Sequence, residues 1–410
     1  MRRDTQGGWR SERARATMQP SHAVSVARLK EGTLFAHAAQ RSLVGGLVVA
    51  AIALAGCGGG DVASGPSCAK PGAAFGTPTT RLTFRAPDAS PAQLEQTRRI
   101  VCARLAGTGV DHRVGRSAPN GLTVELPRAS APASPAGAGI FGVGRLAIYD
   151  WEPNVIGPRG VPAPRDPRVT GGPGAGRSGA ITLYEAVRRA ARRPAAIDAD
   201  NARAGSAFYA VDPKTRQVVT AREDVLRQPG APTRAAALAA VPAGARHGVR
   251  IVEVKPGTIV VRAERAPDVE PAHARWYALR DEVALRGTGI ETPRQRHDEQ
   301  SGEPVVTFEF SAEGRRAWSR LTRKVAERGT IAGRGLSGPS ANQHFAIVVD
   351  DALVSVPYID YRVNPHGIGA DNGSQISGGF TIASARALAA LLANDPLPAP
   401  LVLVASSPAP

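Results

Sequence analysis

The chain has 410 residues, enough for two or three cores, with 51 Lys plus Arg against 35 Asp plus Glu and a net charge of +16. Its three cysteines and eight histidines are too few and too scattered for a metal site, and no zinc spacing, aromatic-stacking motif or dense basic helix goes with the charge. Nucleic-acid binding and metal chemistry are therefore set aside, and an anionic membrane surface is the expected beneficiary of the charge.

The first pattern in chain order is the apolar run Leu43 to Gly56, preceded by Arg28, Lys30 and Arg41. It is shorter than the roughly 20 residues a spanning helix needs. A basic flank, a short apolar core and small residues before a cut point predict a secretory signal over 1–57. Leu54-Ala55-Gly56-Cys57 resembles the bacterial lipobox, so Cys57 is the expected lipidation site and the first residue of a mature, membrane-anchored chain outside the cytoplasm. Acyl chains there would supply about 0.8 kcal/mol per buried methylene. Residues 58–79 read as a Gly/Ser/Pro/Ala tether. With Cys57 acylated, Cys68 and Cys102 remain as an even pair, either a disulfide or two separate buried thiols.

A βαββ unit is predicted over 80–152. Leu82 and Phe84 alternate with polar neighbours, then Ser90, Pro91 and Gln93 form a capping-box start. Leu94, Thr97, Val101 and Leu105 share one helical face, and Gly107 and Gly109 are read as its stop. Strands follow at 110–116 and 121–126 around Pro119-Asn120-Gly121, with a further strand at Leu146 to Trp151. Residues 153–248 are rich in Pro, Gly, Ala and Arg and are expected to be a variable or poorly ordered insertion, with short helices near 183–192 and 234–240.

Regular patterning resumes over 249–405. VRIVEVKPGTIVVRAE gives two strands around Pro256-Gly257, and another strand lies near Trp276 to Leu279. PVVTFEF reads as a strand, and Ala317, Leu321 and Val325 form a helical stripe. HFAIVVDDALVSVPYI is a hairpin turning at Asp350-Asp351, with a solvated tip. Thr381 caps a helix carrying Ala385, Leu388, Leu391 and Leu392, and a last strand spans Leu401 to Val404. The expected fold class is α+β, with ferredoxin-like split βαβ units, antiparallel sheets and the Pro/Gly/Arg-rich central insertion.

The stretches LRGTGIETPRQRHDEQSGEPVVTFEFSAEGRRAWSRLT, FAIVVDDALVSVPYI and QISGGFTIASARALAALLANDPLPAPL resemble, in order and spacing, the first large extracytoplasmic domain of SecD, a subunit of the SecDF protein-export complex. The glycine-rich element of that family is matched by Gln375, Ile376, Ser377 and Gly378 with Phe380 behind them, read as structural or as a partner contact. The resemblance implies the Sec translocon, SecDF components and exported unfolded polypeptide as partners. It departs from the family in its membrane helices: a lipobox stands where a transmembrane helix would lead in, so proton-coupled motion is not carried over. An extended chain could add to an exposed sheet edge, for which Val305 to Phe310 and Phe345 to Val349 are candidate strands. The chain lacks G-x-S-x-G, H-E-x-x-H, a P-loop and a strand-linked G-x-G-x-x-G, so neither an enzyme nor a cofactor is expected. The competing reading is a lipoprotein that reuses the fold for an unrelated envelope ligand or partner.

Overall fold

The computed structural model describes residues 68–69, 79–117, 120–127, 139–157, 181–193, 205–219, 230–263, 276–299, 301–335, 341–371, 373–377 and 380–409. The expected signal, Cys57, Gly378 and the stretch 158–180 lie outside them.

The first layer starts with a two-residue strand, β1 (Cys68–Ala69), followed by β2 (Thr79–Arg85), helix α1 (Pro91–Thr108), β3 (Arg113–Ser117) and β4 (Gly121–Pro127). The capping box forms as the sequence predicts: Ser90 Oγ accepts from the Gln93 N–H, and Gln93 Oε1 accepts from the Ser90 N–H. The helix passes through Gly107 and ends at Gly109, whose φ of 77° places it in the left-handed region. β18 (Val402–Ala409) completes this layer, pairing antiparallel with β2 along its length. The sheet order is β1-β3-β4-β2-β18, antiparallel throughout. Strand, helix, strand and strand come from one end of the chain, and helix α6 (Ile382–Leu392) and β18 come from the other.

This corrects the expectation that 249–405 closes a split βαβ unit of its own. Its last strand leaves that unit for β2, because Leu403 faces Phe84 across the pair and packs on the cluster of Leu82, Phe84, Val101, Leu105 and Val124.

A second correction concerns β5 (Leu146–Asp150). It lies at the heart of another sheet, between β11 (Val283–Arg286) and β14 (Gln343–Val349), in the order β10-β9-β15-β14-β5-β11. Here β9 is Thr258–Ala263, β10 Trp276–Arg280 and β15 Ala352–Ser355, with the short β16 (Tyr358–Ile359) paired off the path to β14. The four residues Leu146, Ala147, Ile148 and Tyr149 are all buried, so both faces of β5 need covering. The 21-residue helix α5 (Ala312–Ala332) covers one face through Ala317, Trp318, Leu321 and Val325, with Trp318 stacked on Phe310 and edge-on to Phe345. Phe310 belongs to a three-stranded sheet, β12 (Ile290–His297), β13 (Pro304–Phe310) and β17 (Ser374–Ile376), which shares that core.

The opposite face, through Ala147 and Tyr149, packs with Trp151, Val261, Tyr277, Leu279, Ala346 and Val348, while the central region lies against the other side of β9 and β10. Helix α3 (Leu183–Ala191) buries Tyr184, Ala186, Val187 and Ala190 against Val260, Trp276 and Ala278, together with Tyr209 and Val211 of β6 (Ala207–Asp212). β6 sits between β7 (Gln217–Val218) and β8 (Arg250–Val254), with helix α4 (Arg234–Ala239) alongside. The strands flanking Pro256-Gly257 thus join different sheets. The described parts of 153–248 add a packed layer to the fold, built on alternation in β6 and on helical spacing in α3.

Candidate functional site

The element that carries the family likeness is a sheet strand. Ile376 pairs with Val306 and is buried in the large core, Gln375 pairs with Thr307, and Ser377 follows directly. Gln375 Nε2 donates to Asp298 Oδ2 at 2.9 Å, which ties β17 to the turn between β12 and β13. Phe380 is half-buried against the same core. With Gln375 7% and Ile376 2% exposed, these two side chains hold the sheet together and present little to a partner.

The two strands proposed for strand addition are both interior. β13 is paired on one side by β12 and on the other by β17, and β14 by β5 and by β15. Their main-chain groups are committed to ladders, so neither Val305 to Phe310 nor Phe345 to Val349 can take an added strand. The hairpin tip differs from expectation as well. Asp350 and Asp351 have φ of 49° and 62°, as a two-residue primed turn requires, yet Asp350 is half-buried. Its carboxylate accepts from the Gly144 N–H at 2.8 and 2.9 Å and from the Arg145 N–H at 2.9 Å, clasping the approach to β5.

Sequence reasoning missed two polar centres. The first joins α2 (Trp151–Asn154), α5 and β14. Arg328 reaches Asp150 through both terminal nitrogens, at 2.9 and 2.5 Å, and Glu152 at 3.1 Å. Glu152, fully buried, also accepts from the His344 main-chain N–H at 3.0 Å and lies 2.7 Å from His344 Nδ1. Burial pushes the Asp150 carboxyl above its usual range against the pull of Arg328, and Glu152 adds to the upward push. For Arg328 burial works against the charge, but Asp150 and Glu152 together outweigh it and raise its pKa. The hydrogen-bonded partners are separated in sequence by up to 192 positions, and the available signals were a histidine in an apolar strand and an acid beside Trp151.

The second centre is Arg104, fully buried on α1. Its guanidinium donates to the carbonyls of Ile140, Gly142, Val143 and Asp395 at 2.6 to 3.1 Å. Burial lowers its pKa to about 10, opposed by the Asp350 charge. These centres brace the junction between layers and carry no nucleophile or reacting cleft. Among the described residues no group of three or more His, Cys, Asp or Glu is arranged to hold a metal.

At the start of the chain, Cys68 and Cys102 form a disulfide with Cα atoms 6.1 Å apart, fastening β1 to α1. Arg98, buried beside it, donates to Cys102 Sγ at 3.9 Å and is held by Glu95. Among the described residues no helix is long and apolar enough to cross a membrane.

Taken together, mostly antiparallel sheets covered by a few helices define a mixed α+β protein. Residues 263–399 match the family model of the SecDF P1 head subdomain, and that segment is a SecD-type P1 head domain. The protein translocase subunit SecD of Acetobacter pasteurianus is 31% identical over 34% of this chain and 22% of its own. That of Elusimicrobium minutum is 32% identical over 31% of this chain and 22% of its own. The chain therefore spans about a fifth of the length of these curated relatives. A solved structure of SecDF, a membrane component that enhances protein export, aligns with 79% of this chain at 15% identity and a TM-score of 0.34, too loose to weigh.

Proposed function

We propose that this protein is an extracytoplasmic accessory of protein export, held at the membrane by acyl chains on Cys57, that contacts translocating polypeptide or the Sec translocon. The observation that carries this reading is the P1 head match over 263–399, a segment that supplies β10 to β17 and both α5 and α6. The relatives that share it are protein translocase subunits. Contacts of this kind need exposed main chain and surface, with no catalytic group.

A second reading, an unrelated envelope ligand, draws on the central layer. A shallow groove there is floored by Ala235, Leu238, Val249 and Ile251 and flanked by Arg234 and Arg250. Charge complementarity would favour an anionic amphiphile.

Crosslinking the protein in its native membrane and identifying its neighbours, for wild type and Cys57→Ala, separates the two. Translocon or SecDF subunits recovered in a Cys57-dependent manner support the export reading. Folded, abundant protein that crosslinks to none of them overturns it.

A further inference from the structure

Resting on the export reading, we infer that the free edge of β18 is a docking strand for extended, unfolded polypeptide, recognised through its main chain. A sheet edge is an open row of N–H and C=O groups, and proteins normally blunt it with charge, proline, bulges, short length or a cover.

The other edges among the described residues are blunted in these ways. β12 is as long as β18 but carries Glu291, Arg294, Arg296 and His297, and its register breaks between Glu291 and Arg294, around Thr292 at φ 47° and Pro293. β10 is covered by chain: Ile181 exchanges two main-chain hydrogen bonds with Trp276, and the Ile156 N–H donates to the Ala278 carbonyl. β1, β7 and β16 have two residues each, β17 has three and β11 four. β8 has five, with Arg250 and Glu253 both exposed.

β18 shares a register break, at Val404, and a proline, at 408, with blunted edges, but it is long and uncharged. Its eight residues, Val-Leu-Val-Ala-Ser-Ser-Pro-Ala, include no ionisable side chain, and those from Val404 to Pro408 are exposed. Only β2 hydrogen-bonds to it among the described residues. Proline is tolerated in an edge strand where its missing N–H would face solvent. Pro408 therefore marks an outward-facing position, and by the two-residue alternation Ser406 is another, so Ser406 directs both its N–H and its C=O away from β2.

The same features argue against a second copy as the occupant. Two β18 strands pairing with each other would bring the register break at Val404 and the missing donor at Pro408 into the ladder twice. A flexible chain brings neither defect. The absence of charge along the edge leaves recognition to the backbone and makes it indifferent to sequence.

The test uses the full chain and an uncharged, alternating Val-Thr peptide, reading peptide binding together with hydrogen exchange at the Ser406 amide. The expected result is binding that slows Ser406 exchange by at least about tenfold. Ser406→Pro deletes the outward donor without touching the β2 ladder. It should weaken binding by at least about tenfold and leave the unfolding midpoint unchanged. Binding with unaltered Ser406 exchange overturns the docking strand while sparing the export reading. Failure of the peptide to bind overturns the polypeptide-contacting reading itself. Ser406 protection that grows with protein concentration in the absence of peptide overturns the inference in favour of self-pairing.

Discussion

Gly107 of α1 lies against Ala390 of α6, so close that a Cβ at position 107 would stand 2.9 Å from the Ala390 Cβ. This contact brings the two ends of the described chain together on one sheet. A side chain at 107 would force the helices apart, and overpacking of this kind costs about 1–3 kcal/mol. Gly107→Leu is therefore expected to lower unfolding stability by about that amount and to loosen β18 from β2. Urea unfolding checks the first part and hydrogen exchange at β18 the second. A variant as stable as wild type would show that the helices can yield.

Arg104 fastens α1 to the 140–143 segment and to Asp395 through four carbonyls. Lysine keeps the charge but cannot span those acceptors with one ammonium group. Arg104→Lys should cost roughly 2–4 kcal/mol in the unfolding free energy, since several buried carbonyls lose their donor. A loss well under 1 kcal/mol would mean that the cage is incidental.

The Asp150 carboxyl is displaced upward, chiefly by burial. A folded pKa above the unfolded one means that the native state keeps a proton the unfolded chain has released. The associated stability is complete in acid, below the ordinary aspartate range, and is lost as pH rises through the displaced value. Asp150→Asn cannot titrate. Across an acid-to-neutral series of unfolding measurements, wild type should lose ground steadily to Asp150→Asn as pH rises, on top of a constant offset for the lost Arg328 partner. A pH-independent difference would sink this assignment.

The Cys68–Cys102 bond closes a loop with a sequence separation of 34. Breaking it with Cys68→Ser plus Cys102→Ser should cost roughly 2–4 kcal/mol, mostly through the greater freedom of the unfolded chain. Thermal unfolding of wild type with and without reductant should reproduce the loss, and reductant should leave the double variant unmoved. Equal sensitivity of both proteins to reductant would rule out the disulfide as the cause.

The sequence by itself determined most of the local elements, because their causes are local. Ser90, Pro91 and Gln93 start α1, Thr381 starts α6, and alternation in PVVTFEF makes β13; the same residues, with QISG, carried the likeness to the SecD head. The α+β class followed from those elements. Tertiary structure alone decided which strands become neighbours. An alternating pattern shows that a face is buried without naming the strand that covers it, so β18 was assigned to the wrong sheet and β5 to the wrong unit. It also decided which edges stay open, so Val305 to Phe310 proved interior and Ser406 exposed. The Asp150, Glu152, Arg328 and His344 cluster and the Arg104 cage were illegible for the same reason. Each joins groups from distant parts of the chain, and their energy exists only once folding has removed them together from water.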